Sequence, residues 1–133
     1  MKQTIISLLA VLTLPFLGAC DVHKEHLVGQ YLLVAVDIPE QMSVSYDLGD
    51  GSSIGRINPV VFAVGWSDHY IVANQHPATN RSITSFYYLD ISKDSKYAEP
   101  TNSVVGPLTE AEFTQKQHEL GLPAFTRTIK SLE

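Results

Sequence analysis

Trp66, Asp68, His69 and Tyr70 place an indole, a carboxylate, an imidazole and a phenol within one five-residue stretch. Side chains of these types suit a loop tip that binds a partner, and Asp68 with His69 also offers the acid and base of a small hydrolase. A plainer reading has Trp66 capping the core, Asp68 bonding the backbone of a turn and His69 standing at the rim. Nucleophilic catalysis finds little support elsewhere. The chain has no Gly-x-Ser-x-Gly elbow, and its single cysteine, Cys20, is expected to be blocked by acylation. Carboxylate pairs drawn from Asp37, Asp47, Asp68 or Asp90 are expected by chance among fourteen acidic residues. His23 and His26 have the spacing of two metal ligands but lack further partners, and His69 and His76 fall on opposite faces of any continuous strand. No cofactor or metal is implied, and a non-catalytic role is favoured.

These side chains must be positioned by residues 58–77, the stretch richest in β-branched and aromatic residues. Pro59 and Pro77 bracket it, and the polar Ser67-Asp68 pair divides it, which predicts a central antiparallel hairpin. With Ser67 and Asp68 as the turn, Trp66 faces His69, Gly65 faces Tyr70 and Val64 faces Ile71. Gly65 then leaves room for the Tyr70 ring to lie across its strand.

A length of 133 residues allows one globular domain. The formal charge of -5, with nine basic residues scattered along the chain, leaves no basic footprint for nucleic acid. One cysteine excludes an internal disulfide scaffold and a zinc ribbon.

Lys2, the apolar run 5–17 and Leu17-Gly18-Ala19-Cys20 have the order of a secretory signal, too short to span a bilayer permanently. The Leu-Gly-Ala-Cys tetrad resembles the lipobox of bacterial lipoproteins, in which a thiol accepts a diacylglycerol as a thioether. An ordinary cleaved signal or an uncleaved anchor fits the same run less well. The resemblance implies a signal peptide over 1–19, lipid attachment at Cys20, a spacer over 20–29 and a globular domain over 30–133. It also implies a membrane partner and an envelope location. Asp21 resembles the signal that keeps enterobacterial-type lipoproteins on the inner membrane, facing the periplasm.

The rest of the chain supplies the scaffold. Residues 30–38 are apolar on both faces and read as a central or doubly covered strand. Residues 42–48 alternate and read as a strand nearer an edge, followed by a glycine turn and a short strand over 54–57. Residues 83–91 give a further strand, with Phe86 and Tyr88 on one face as a partner surface should they be exposed. A polar loop over 92–103 has a length associated with mobility. Thr109 with Glu112 forms a capping box, Leu108 and Phe113 a staple, and Gly121 a stop, so a helix is predicted over 110–120. Residues 124–132 offer one last strand.

The fold expected is α+β: a mostly antiparallel sheet of five or six strands with one C-terminal helix. Through Val60-Val61-Phe62-Ala63-Val64-Gly65-Trp66 and Gly106-Pro107-Leu108-Thr109 with Glu112-Phe113, the mature chain is similar to small bacterial lipoproteins of a domain-of-unknown-function family. The resemblance implies an envelope location and no activity. The function expected is a lipid-anchored binding module of immunity, inhibitor or envelope-accessory type, partnered by a protein of the envelope. A small envelope hydrolase using Asp68 and His69 is the alternative.

Overall fold

The computed structural model describes residues 23–133. The expected signal peptide and the expected attachment site Cys20 therefore lie outside the described residues. Among the described residues, nine strands form two antiparallel sheets and one main helix follows near the C-terminus. The first sheet has the order β1 (His23–His26), β2 (Tyr31–Ala35), β3 (Ser43–Asp47), β4 (Ser53–Ile57). The second has the order β8 (Val104–Leu108), β7 (Ser85–Asp90), β6 (Tyr70–Gln75), β5 (Val61–Trp66), β9 (Arg127–Thr128). The antiparallel α+β architecture matches expectation, while the strands divide between two sheets and exceed five or six.

The two sheets bury one core between them. Tyr31, Leu33, Ala35, Val44 and Ile57 from the first sheet meet Val61, Val64, Ile71, Ala73 and Leu89 from the second. The alternation that puts Leu89 inward turns Tyr88 and Phe86 outward, and Val72 with them. This outer face is not left bare. Helix α2 (Glu110–Leu120) covers it with Phe113, which packs beside Phe86 at 5.2 Å between ring centroids. Both bonds of the Thr109–Glu112 capping box are formed, and Gly121 takes the left-handed stop at φ 65°. Phe113 is the helix's buried residue, so α2 is a cover held by one aromatic anchor.

Four local expectations are corrected. The spacer is partly strand, because His23–His26 pairs in register with β2, His23 opposite Ala35, and Glu25 reaches Arg127 at 3.2 Å. Residues 42–48 are no nearer an edge than the strand before them, since β2 and β3 are the two inner strands of the sheet. The last strand shrinks to Arg127–Thr128, pairing Ala63 with Thr128. The central hairpin is present, but its register runs Trp66 to Ile71, Gly65 to Val72 and Val64 to Ala73. Its cause is Ser67, whose hydroxyl accepts the backbone N–H groups of His69 and Tyr70 at 3.2 and 3.1 Å. Ser67 opens the turn instead of occupying its centre, which moves to Asp68 and His69.

Gly65 consequently has a different neighbour from Tyr70. A Cβ there would overlap the carbonyl oxygen of Ala124, because the C-terminal segment crosses the strand at this point and Thr126 N–H donates to Val64 O at 3.0 Å. Gly65→Ala must therefore push backbone away from backbone, an overpacking cost of about 1–3 kcal/mol. We expect a lower urea midpoint with unchanged slope, and an unchanged midpoint would refute the close approach. Thr109→Ala should cost about 1 kcal/mol through loss of the cap, measured the same way.

Candidate functional site

The hairpin tip does not assemble its four side chains into one surface. Trp66 and Ile71 are paired and face the core between the sheets, whereas Tyr70 points to the helix-covered face. Asp68 and His69 are exposed at the turn between them, and among the described residues no hydrogen bond joins the two side chains. His23 and His26 lie on opposite faces of β1; His23 bonds Glu25 at 3.1 Å and His26 the Gly29 carbonyl at 2.8 Å. His76 is buried at the far end of β6, stacked on Phe62 at 4.2 Å. Its Nδ1–H donates to Ile83 O at 2.8 Å, and its Nε2 has no partner. Among the described residues no group of three or more His, Cys, Asp or Glu side chains is placed to hold a metal ion.

Tyr70 leads instead to a cleft of ≈ 200 Å³ that sequence reasoning did not find. Tyr70 and Tyr88 meet edge to face at 6.2 Å in one wall. Lys116 and Leu120 of α2 stand on one side, Val105 of β8 on another, and Asp90, Lys93, Asn102 and Ser103 close the rest. Lys116 is paired with Glu119 at 3.0 Å, and that hydrogen bond raises the lysine's pKa and lowers the carboxylate's. Lys93 stands 3.6 Å from Asp90. The cleft is thus lined by polar and apolar surface in similar measure, carries two ammonium groups with their counterions, and has the exposed apolar side chains Val105 and Leu120 in its lining.

One buried network holds its wall in place. Arg56 Nε meets Asp94 Oδ2 at 2.8 Å, with the two side chains 1% and 0% exposed. Tyr31 donates to the same oxygen at 2.8 Å, Ser103 donates to Oδ1 at 3.1 Å, and Arg56 Nη2 donates to Ser95 O at 2.8 Å. Arg56 also lies over the Tyr46 ring at 5.3 Å. The segment 92–103, expected to be a mobile polar loop, is therefore stapled through Asp94 to β2 and β4, with α1 (Pro100–Ser103) formed within it. Both oxygens of Asp94 are engaged, which makes it a structural anion and fixes the Ser103 hydroxyl at the cleft.

The family model described as a protein of unknown function (DUF3997) matches residues 28–128, from the β1–β2 turn to the end of β9. No curated protein and no solved structure matches the chain.

Burial, and then its hydrogen bond to Asp94, raise the Tyr31 phenol well above the ordinary tyrosine range. The neutral phenol is favoured in the folded state, so its contribution is complete below pH about 10 and is lost as pH rises beyond that value. Tyr31→Phe should flatten the alkaline fall in stability, read as urea midpoints against pH. An identical alkaline slope in both proteins would remove Tyr31 from the network's energetics. Burial also raises Tyr87, so a residual slope is expected.

Proposed function

Given that the chain belongs to the DUF3997 family of proteins of unknown function, we propose that it is a lipid-anchored cell-envelope protein acting as a non-catalytic interaction module. The cleft beside Tyr70 is its contact with a protein partner. One observation carries this: at ≈ 200 Å³ the cleft is smaller than the about 300–1,000 Å³ typical of small-molecule sites, yet it exposes apolar side chains and holds fixed polar groups. Those are the dimensions and chemistry for one inserted partner side chain surrounded by a polar contact.

The anchor is the thioether at Cys20, implied by Leu17-Gly18-Ala19-Cys20. Two or three acyl chains hold a protein stably at about 0.8 kcal/mol per buried methylene. Among the described residues no helix is long and apolar enough to cross a membrane, so a lipid tether supplies attachment that those helices do not. In a Gram-negative host, Asp21 would retain the protein on the inner membrane facing the periplasm. An immunity protein, an inhibitor of a lytic enzyme and an envelope-assembly accessory all fit this class.

Crosslinking and pull-down from membranes of the native lipoprotein test the proposal, with Cys20→Ala as the unanchored control. Tyr70→Ala and Lys116→Ala should each reduce capture of one reproducible partner severalfold, while circular dichroism and membrane attachment stay unchanged. Undiminished capture by both variants would move the contact away from the cleft.

A further inference from the structure

Strand direction fixes which end of the domain receives the anchor. β1 is antiparallel to β2 with His23 opposite Ala35, so the start of β1 lies at the end of the sheet where β2 finishes. Cys20 is three residues earlier, and a fully extended chain of that length spans at most about 11 Å. Whatever path the chain takes, the anchor is confined to this end.

The same end gathers exposed apolar side chains. Val36 and Ile38, which follow β2, are 50% and 51% exposed, and Ile83, which precedes β7, is 48% exposed. Their segments are joined here: Val61 N–H donates to Met42 O at 2.8 Å, and Arg81 meets Glu40 at 3.7 Å. Arg81 also donates to Ser131 O at 3.3 Å, and the Ile83 carbonyl accepts from His76. Ile83 is thus presented by a tied loop. Charge does not dominate the surface, since Arg81 is paired with Glu40, Lys130 with Glu133 at 3.0 Å, and Asp37 adds an exposed carboxylate.

We propose that this end of the domain seats on the bilayer, with Val36, Ile38 and Ile83 entering the boundary between headgroups and acyl chains of the leaflet that holds Cys20. The inference rests on the lipid-anchor reading. Attraction is apolar, so anionic lipid is not required. Because the Asp68–His69 turn joins the opposite ends of β5 and β6, the start of β6 and its Tyr70 are turned away from the membrane, and the cleft faces a partner in the aqueous compartment.

The test uses the full acylated protein in phosphatidylcholine vesicles, with a fluorophore on Ile38→Cys or Ile83→Cys and on Asp68→Cys as the far-end reference. Spin-labelled lipid should quench the first two probes severalfold more than the third, and added anionic lipid should not increase the difference. The mass of the mature N-terminus is read in the same preparation. Equal quenching at all three positions with Cys20 acylated overturns the seating proposal alone, whereas a free Cys20 thiol overturns the anchor reading and the seating with it.

Discussion

The Arg56–Asp94 ion pair is the constraint on which the cleft depends. Two opposite charges have been taken out of water, and such a pair persists only when its remaining hydrogen-bonding capacity is also satisfied. Tyr31, Ser103 and the Ser95 carbonyl do this. The four-stranded sheet supplies arginine and phenol, while the segment leaving the five-stranded sheet supplies carboxylate and hydroxyl. Apolar packing between the sheets is non-directional, whereas the hydrogen bonds of this network fix distances and angles. It therefore sets the position of the 92–103 segment more sharply than the core does, and with it one wall of the cleft.

A second joint works on different physics. At Gly65 the absence of a side chain lets the C-terminal segment lie against β5, and backbone hydrogen bonds from Thr126 to Val64 and from Ile129 to Phe62 follow from that contact. The Glu25–Arg127 pair then ties β1 to β9, but both side chains are partly exposed and an ion pair of this kind contributes less than about 1 kcal/mol. One joint is thus specified by buried charge and the other by shape. The phenylalanines Phe86, Phe113 and Phe125 complete the second by packing together beneath the helix.

Local chemistry was legible in the sequence and distant partnership was not. The helix could be placed residue by residue because its cap, staple and stop are all local, and the inward and outward faces of residues 83–91 follow from period-two alternation. The hairpin was legible in kind but displaced in register, since the serine hydroxyl determines where the turn begins. β1 was missed because His-Lys-Glu-His carries no apolar signal and gains its place from ladder bonds and Arg127. Asp94 sits in the polar run Ser-Lys-Asp-Ser-Lys, where nothing local announces that Arg56, thirty-eight positions earlier, will bury it. The cleft joins side chains from β6, β7, β8, α2 and the segment between β7 and β8, so only the tertiary arrangement reveals it; Tyr70 and Tyr88 were singled out beforehand, but for a hairpin tip and a strand face and not for one site.

The pairing of Ala63 with Thr128 also sets an order of events. β1 to β4 and β5 to β7 are linked by neighbouring segments and can zip locally, but the outer edge of β5 stays unpaired until nearly the whole chain is available. Contacts of such sequence separation form late because the loop must close before they return any stabilisation. Through that interval β5 presents Val61, Phe62, Ala63 and Val64 on an open edge, a run suited to pairing with another chain. The two-residue β9 acts as a molecular latch: small in area, drawn from the end of the chain, and the element that covers the open edge of this apolar strand.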